Sequence, residues 1–343
     1  MPKLNIINGT GWYNEERYMG GTRGLPPENY EITFDQENDN EITYFINMGV
    51  DSVHRIKSKV KVALISDCRC IVPDYYRKLE LLLDQGHFDH VVTYDDRLIQ
   101  KYPEKVWIQP AGATFIWPEE KRKIYKKTKL CSYISSMKSI THSQVLRVML
   151  LKYIYNFYHP LRDVEISPNI NPSQLAQINA LSSIDCYGTG HNELPDVLGK
   201  IDALADYAFS IAIENHESDH YFSEKVLDCF LSGTIPIYMG SKKINEYFNP
   251  DGIIFLSDLY KSDENGNILD DFLSEISWEC SHGKQKQLTD KSPITYDSAF
   301  DNLIKSLSFE EYNKRIDAVK ENFETAKKYI DSIDCSLKVN YEK

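Results

Sequence analysis

The sequence of 343 residues lacks any apolar run of about 18 residues, the length that a membrane-spanning helix needs. Its first residues, MPKLNIINGTGWY, also lack the charged and then apolar pattern of a secretory signal. Positive charge is scarce, since 39 lysines and arginines face 51 acidic residues and give a formal net charge of −12. This balance argues against non-specific binding to nucleic acid or to an anionic membrane surface.

Regularly spaced cysteine pairs are absent as well. The seven cysteines are odd in number and irregularly spaced, at positions 68, 70, 131, 186, 229, 280 and 335. Such a set predicts free thiols in a reducing compartment. Cys68 and Cys70 form a Cys-x-Cys pair, but no second pair follows at the spacing of a zinc finger.

What is present is an alternation of strand-like and helix-like patterns. The composition, 42% hydrophobic and 26% charged, is that of a soluble globular protein long enough for two domains. Near-continuous apolar runs indicate parallel strands buried on both faces, and repeated β–α alternation predicts doubly wound α/β domains. The predicted strands are Leu4–Ile7, Ile42–Ile46, Val60–Ile65, Val91–Thr93, Val106–Ile108, Cys131–Ile134, Ile184–Tyr187, Phe209–Ile213, Ile235–Tyr238 and Ile253–Leu256.

A highly charged segment, WPEEKRKIYKKTK, lies between two strand-rich halves and marks the expected domain boundary. We therefore expect an N-terminal domain over residues 1–125 and a C-terminal domain over residues 126–308. Apolar residues at helical spacing predict one amphipathic helix over Phe309–Ile333 in the last segment, 309–343.

The most informative segment covers residues 209–240 and runs strand, polar loop, amphipathic helix, glycine and strand. Ser223 is the predicted N-cap of the helix, and Gly233 is its stop. The amino-terminal end of a helix suits a phosphate, because its N–H groups are unpaired and the helix dipole is positive there. Lys225 adds a full charge in the first turn, and Asn215 and Tyr221 flank it. On this motif alone, a surface helix end with solvated charges is an equal alternative.

A second cation, Arg147, lies in a helix that a capping-box pattern opens at Thr141–Gln144. It either reaches back towards a ligand at the strand ends or snorkels along the helix surface. Ligands of open α/β sheets bind beyond the carboxyl ends of the strands. Five residues follow predicted strands in this way: Asp67, Ser136, Gly188, Asn215 and Gly240.

Asp67 follows a strand of the N-terminal half. It either faces the other half across a cleft, where a carboxylate can act as general base, or caps a helix near Pro73.

The stretch His216–His220 reads His-Glu-Ser-Asp-His, a formal match to the zinc metalloprotease pattern. That chemistry needs both histidines on one face of a helix. Here the stretch follows a strand, Ser218 and Asp219 are poor residues for a helix interior, and no third ligand follows at a familiar spacing. We therefore expect no metal site.

These motifs resemble glycosyltransferase family 10, the α-1,3-fucosyltransferases. Members carry a strand ending in Glu-Asn, a tyrosine six residues later, x-[Thr/Ser]-Glu-Lys, a helix, and Gly-Thr-[Ile/Val]-Pro-[Ile/Val]. The same order appears here in Glu214-Asn215, Tyr221, Ser223-Glu224-Lys225 and Gly233-Thr234-Ile235-Pro236-Ile237. Ser135-Ser136 with Arg147 resembles the family's Ser-Asn pair and helix arginine, and Asp185–Gly188 resembles its Asp-x-x-Gly turn. The similarity is strong over residues 129–256 and weaker over 60–116.

The resemblance implies an α/β fold of the GT-B type, with two Rossmann-like domains facing across a cleft. The acceptor would bind the N-terminal domain, the donor would bind the C-terminal domain, and the last segment would pack back on the N-terminal domain. The implied reaction is inverting transfer of L-fucose from GDP-fucose to a hydroxyl of a glycan acceptor, without a cofactor or an essential metal. Two alternatives stay open: transfer from another nucleotide sugar, and nucleotide or glycan binding without catalysis.

The resemblance also assigns roles to single residues. Arg147 and Lys225 would bind the diphosphate, whose charge grows in the transition state. Asn215, Tyr221 and Glu224 would contact the ribose, the diphosphate or the sugar. The full set of expected donor-binding residues is Ser135, Arg147, Gly188, Glu214, Asn215, Tyr221, Ser223, Glu224 and Lys225, and the expected catalytic residues are Asp67 and Glu224.

The sequence departs from the family pattern at two positions, and it also differs from many eukaryotic members. The family has a glutamate as base at the end of an N-terminal strand, where this chain has the shorter Asp67, so either the acceptor sits closer or another residue is the base. Ser136 stands where the family has asparagine. Many eukaryotic members carry a membrane anchor and disulfides, and this sequence shows neither pattern. It therefore predicts a cytoplasmic protein of the bacterial or viral type, at most peripheral to a membrane.

Overall fold

The computed structural model describes residues 1–8, 30–158, 183–188, 194, 197–256, 298–330, 333 and 336–337. These residues form two β-sheets, in which every strand pairs in parallel with its neighbours. The first sheet has the order β2-β1-β3-β4-β5-β6, with β1 Lys3–Asn8, β2 Glu31–Phe34, β3 Asn40–Ile46, β4 Ser58–Leu64, β5 His90–Thr93 and β6 Val106–Ile108. The second has the order β11-β10-β9-β7-β8, with β7 Lys129–Ile134, β8 Ile184–Tyr187, β9 Tyr207–Ile213, β10 Ile235–Met239 and β11 Ile254–Phe255.

Both sheets are buried on both faces, as their near-continuous apolar runs predict. In β3, Tyr44 belongs to one apolar core and Phe45 belongs to the core on the opposite face. In β9, Ile211 and Ala212 divide in the same way between the two cores of the second sheet. The ten predicted strands are all present. The prediction missed β2, a short edge strand whose side chains are partly exposed.

Seven α-helices are assigned within the described residues, together with short 3₁₀ helices. The α-helices are α1 Pro73–Asp84, α2 Asp96–Lys101, α3 His142–Tyr158, α4 Glu224–Leu231, α5 Ser298–Ser306, α6 Phe309–Lys314 and α7 Ile316–Ala326. The 3₁₀ helices are Asn47–Ser52, Glu119–Lys121, Val197–Ala203, Ile244–Glu246, Pro250–Gly252 and Lys327–Tyr329. None of the helices described is long and apolar enough to cross a bilayer.

The prediction of one continuous helix over Phe309–Ile333 is wrong. The chain breaks at Arg315, whose φ of −99° and ψ of 5° are not helical, and the two parts dock separately. In α6, the Tyr312 hydroxyl donates to the Gly233 carbonyl at 2.7 Å, whereas α7 packs on α4. Arg315 itself donates to the Asp251 carbonyl at 2.7 Å. Tertiary contacts therefore break the helix at a point where the sequence has neither glycine nor proline.

The two sheets face each other across a cleft and are tied together by the chain between β6 and β7. Gly112 forms a parallel bridge with Ser223, and its N–H donates to the Phe222 carbonyl at 3.1 Å. The rings of Tyr94 and Tyr221 meet across the same boundary at a centroid distance of 4.6 Å. An α/β fold of the GT-B type, with two parallel-sheet domains across a cleft, is therefore confirmed. The domain limits at 125 and 308 stay predictions.

The last described residues lie against the first sheet, whereas Ala326, shortly before them, belongs to a core of the second sheet. Ile333 and Leu337 are fully buried in the apolar core that contains Tyr44. The Tyr44 hydroxyl also lies 2.7 Å from the Ser336 hydroxyl. Residues from both ends of the chain therefore share one core.

We expect Leu337→Ala to destabilise the protein by about 2–5 kcal/mol, because it removes a fully buried side chain from a packed core. Urea unfolding monitored by circular dichroism measures this change. Leu81→Ala is the matched control, since Leu81 is 56% exposed on α1 and its loss is expected to cost no more than about 0.5 kcal/mol. Equal effects of the two substitutions would show that the C-terminal segment does not stabilise the first sheet.

Candidate functional site

A cavity of about 830 Å³ lies at the carboxyl ends of the second sheet and opens towards the first domain. The N-terminal domain supplies Asp67 and Ile71 from the loop after β4, and the connecting chain supplies Phe115. The opposite wall includes six of the predicted donor-binding residues: Ser135, Arg147, Gly188, Asn215, Glu224 and Lys225.

Gly188 brings two of the strand-end loops together. Its φ of 112° lies in the left-handed region, and a Cβ at this position would collide with the Ser135 carbonyl. The Ser135 N–H donates to the Tyr187 carbonyl at 3.0 Å, so the ends of β7 and β8 stay paired up to the cavity wall. Only glycine allows this close approach.

Arg147 is buried and points towards the cavity from α3. Its Nη1 donates to the Ile213 carbonyl at 3.4 Å and its Nη2 donates to Asn215 Oδ1 at 3.3 Å, so both hydrogen bonds are long. Its Nε is buried without any hydrogen-bond partner. The described residues place no carboxylate within ion-pair distance of the guanidinium. The alternative of an arginine that snorkels along the helix surface is therefore wrong.

Asn215 is held at the end of β9 by the start of α3. Its Oδ1 accepts from Gln144 Nε2 at 3.3 Å as well as from Arg147, and its carbonyl accepts from the Thr141 hydroxyl at 2.5 Å. The predicted capping pattern is present, because the Gln144 N–H donates to Thr141 Oγ1 at 3.1 Å and Gln144 Oε1 accepts from the Ile140 N–H. The cap thus orients the Asn215 amide towards the cavity.

The start of α4 is fixed by a fully buried carboxylate. Glu214 accepts from the Ser223 N–H at 2.8 Å and from the Ser223 hydroxyl at 2.5 Å. Burial raises the pKa of Glu214, and the nearby Lys225 ammonium opposes this rise. Ser223 is the N-cap, as predicted, and accepts from the Lys225 N–H at 3.4 Å. Glu214 and Ser223 therefore lie behind the cavity wall and shape it from there.

The Lys225 side chain is only 18% exposed, so the picture of a solvated surface helix end does not hold. Its ammonium lies 3.0 Å from Glu224 Oε1, 3.6 Å from Glu214 Oε2 and 3.1 Å from the Ser223 hydroxyl. The charge of Lys225 is thus shared between two carboxylates in this structure.

Two charged residues that the sequence analysis did not select complete the wall. Lys200 lies 3.2 Å from Asp228 Oδ2 and 3.7 Å from Glu224 Oε1. Burial alone would raise the pKa of Glu224, but the ammonium groups of Lys225 and Lys200 hold it well below its usual range. Asp228 is itself buried, and its Oδ1 accepts from the Thr114 hydroxyl at 2.6 Å. A signal was available, because Glu224 and Asp228 are four residues apart in a helix whose only other charged residue is Lys225.

Tyr221 lies outside the cavity wall. Its buried ring packs on Tyr94 and beside Cys68, at the contact between the two domains. Burial raises the pKa of its hydroxyl well above the usual value. The structure therefore positions Tyr221 next to the cleft as part of the domain contact, and not among the residues that line the cavity.

Asp67 lines the N-terminal side of the cavity and is exposed. The Tyr76 hydroxyl donates to its backbone carbonyl at 3.0 Å. Helix α1 begins after Val72 without a side-chain cap, so the alternative that Asp67 caps this helix is wrong.

The His-Glu-Ser-Asp-His stretch forms a loop after β9. Nδ1 of His220 lies 2.6 Å from the Tyr247 hydroxyl, whereas His216 lies beside Cys70. Among the described residues, no group of three or more histidine, cysteine or acidic side chains is arranged to hold a metal ion.

Comparison with known proteins adds to this geometry. Residues 171–277 match the family model of glycosyltransferase family 10 (fucosyltransferase), C-terminal part. An α-(1,3)-fucosyltransferase FucT of Helicobacter pylori is 35% identical over 106 residues, which are 29% of this chain and 22% of that protein. An α-(1,3)-fucosyltransferase B of Drosophila melanogaster is 29% identical over 138 residues, 35% of this chain and 30% of that protein. The matches thus span less than a third of these relatives.

Among solved structures, an α1,3-fucosyltransferase with GDP aligns over 94% of this chain and 90% of its own, at 15% identity and a TM-score of 0.43. TarM aligns over 84% of this chain and 53% of its own, at 11% identity and a TM-score of 0.37. The family match in sequence confirms, over residues 171–277, the resemblance that the motifs indicate: this part of the chain is similar to the C-terminal part of the family 10 fucosyltransferases.

Proposed function

We propose that the protein is an inverting glycosyltransferase that moves L-fucose from GDP-fucose to a hydroxyl group of a glycan acceptor. The main observation behind this proposal is the environment of the Arg147 side chain. It is a buried cation with an unpartnered Nε, two long hydrogen bonds to neutral oxygens, and a position on the wall of a cavity of about 830 Å³. A cavity of this size is typical of small-molecule sites.

An unpaired buried charge costs several kcal/mol, so such a site favours an anionic ligand. A diphosphate supplies both the negative charge and the hydrogen-bond acceptors that the guanidinium lacks. Hydrogen bonds between charged groups are also stronger than those between neutral groups. Lys225 would add a second contact, although its two carboxylate neighbours reduce what it can contribute. The positive end of the α4 helix dipole, at Glu224 and Lys225 on the cavity wall, also favours an anion.

The reaction follows from this arrangement. With the diphosphate at Arg147 and Lys225, the sugar would extend towards the N-terminal wall of the cavity, where Asp67 lies. An acceptor hydroxyl would attack the anomeric carbon from the face opposite the diphosphate, and Asp67 would take its proton. The bond between the anomeric carbon and the diphosphate oxygen breaks, and GDP leaves with the electron pair. In this proposal the fixed cations stabilise the growing charge without a required metal.

We expect Arg147→Ala and Lys225→Ala each to weaken GDP binding by about tenfold or more, because a hydrogen bond to a charged group contributes about 1.5–3 kcal/mol. Isothermal titration calorimetry measures the affinity, and circular dichroism checks that the fold survives. Lys243→Ala is the control, since Lys243 is 41% exposed and pairs with Asp219 outside the cavity wall. Unchanged affinity in both cavity variants would remove the diphosphate assignment.

The choice of nucleotide separates this proposal from transfer of another nucleotide sugar. A ligand that binds only the folded state raises the melting temperature, and at equal concentration the tighter ligand raises it more. We expect GDP to raise the melting temperature more than UDP, ADP or CMP at equal concentration. A larger shift with one of the other nucleotides would favour the alternative donor.

We expect Asp67→Asn to lower turnover by about 10²- to 10⁴-fold, the range that general-base catalysis contributes, while GDP affinity stays unchanged. Product mass measured with GDP-fucose and a panel of glycan acceptors gives the turnover. Asp74→Asn, which changes a side chain that is 77% exposed on α1, is the control.

Near-normal turnover of Asp67→Asn would remove Asp67 as the base. If the unchanged chain binds GDP-fucose but neither transfers nor hydrolyses it, the result favours a nucleotide-binding protein without catalysis.

A further inference from the structure

A second cluster of reactive side chains lies beside the cavity and takes no part in the proposed transfer. Cys68 and Cys70 lie in the loop after β4, with their sulfur atoms 3.2 Å apart. The His216 side chain, in the loop after β9 of the other domain, lies beside the Cys70 sulfur. Cys70 is exposed and Cys68 is buried, so a reagent in solvent reaches Cys70 first.

The charges around this cluster favour a thiolate on Cys70. The hydrogen bond with Cys68 and the nearby His216 ring outweigh burial and lower the pKa of Cys70 to about 5. The nearby Cys70 sulfur raises the pKa of His216 against the effect of burial, and Asp96 and Glu217 act in the same direction as Cys70. The hydrogen bond with Cys70, burial and the nearby Asp67 raise the pKa of the Cys68 thiol.

The backbone holds the two thiols in position for a bond. The Ile71 N–H donates to the Cys68 carbonyl at 2.9 Å, which closes a tight turn over residues 68–71. The Arg69 side chain in this turn is bound to Asp95 and Glu80. A disulfide has a sulfur–sulfur length of about 2.0 Å, so the thiols need to approach by little more than an ångström.

We propose that Cys70 and Cys68 form a redox-active dithiol, in which Cys70 is the attacking thiolate, Cys68 is the resolving thiol and His216 stabilises the thiolate. Its oxidant is a small organic disulfide of the glutathione type. This inference is independent of the proposed transferase activity.

The chemistry is a two-step thiol–disulfide exchange. The Cys70 thiolate attacks one sulfur of the small disulfide, whose S–S bond breaks, and the first small thiolate leaves with the electron pair. Cys68 then transfers its proton to a leaving thiolate and attacks the Cys70 sulfur of the mixed disulfide. The second small thiolate leaves and takes a proton from solvent, so the dithiol is oxidised by two electrons and the small disulfide is reduced to two thiols.

The exchange would also affect the cleft. Asp67 precedes Cys68 and Ile71 follows Cys70, and both line the cavity. Closing the Cys68–Cys70 bond removes the thiolate that faces His216 across the domain boundary.

Alkylation with iodoacetamide, followed for each cysteine by peptide mass spectrometry between pH 4 and pH 9, tests the thiolate. We expect the rate at Cys70 to reach half of its maximum near pH 5, and we expect His216→Gln to move this midpoint to higher pH. Free glutathione, alkylated in the same solutions, is the control and should show the midpoint of an ordinary thiol, about pH 8.5. A midpoint at Cys70 equal to that of free glutathione, and unchanged by His216→Gln, would overturn the assignment of Cys70.

Oxidation with glutathione disulfide tests the pair. The unchanged protein should lose two hydrogen atoms in mass and yield a peptide that contains a Cys68–Cys70 bond, reversibly with dithiothreitol. Cys68→Ser keeps a hydroxyl beside Cys70 and should stop at the mixed disulfide with glutathione, whereas Cys70→Ser should form neither product. Circular dichroism confirms that the variants are folded. Failure of the unchanged protein to form the intrachain bond, while Cys68→Ser accumulates no mixed disulfide, would refute the dithiol.

Discussion

The buried carboxylate of Glu214 determines how the second domain presents its charges to the cleft. It accepts both the N–H and the hydroxyl of Ser223, and so fixes the end of β9 to the start of α4. Gly240 makes room for it, because a Cβ there would collide with the Glu214 side chain. A buried carboxylate is tolerated only when it is fully hydrogen-bonded, so these contacts depend on each other. The position of Lys225 at the cavity wall follows from them.

The cations of this wall differ in whether a carboxylate lies close enough to balance their charge. Lys225 and Lys200 each face carboxylates, Lys225 at Glu224 and Glu214 and Lys200 at Asp228 and Glu224. Arg147 faces only neutral oxygens and keeps a buried, unpartnered Nε. Since a desolvated charge gains most from a new counter-charge, the strongest attraction for an anion lies at the Arg147 end of the cavity. Asp228 also accepts from Thr114, which links this charge arrangement to the chain between the domains.

The sequence predicts the elements of the fold better than the direction in which side chains face. Continuous apolar runs reveal the buried strands, but β2 lies at an edge with partly exposed side chains and has no such run. The break at Arg315 results from tertiary contacts that leave no local signal. The motif also gives the order of Glu214 and Tyr221 without showing that Glu214 lies behind the cavity wall and that Tyr221 lies in the domain contact. Lys200 escaped the analysis because 28 residues separate it from its partner Asp228.

Because the loop after β4 is held in place, it limits how far the shorter Asp67 side chain can reach in the proposed reaction. Arg69 fixes this loop, since it binds Asp95 and Glu80 and its guanidinium lies 4.4 Å from the centre of the Tyr76 ring. The Tyr76 hydroxyl donates in turn to the Asp67 carbonyl. A loop held at both points cannot easily move outward to make up for a missing methylene. In the proposed transfer, the acceptor or the opposite domain must therefore come closer to Asp67 than a family glutamate would require.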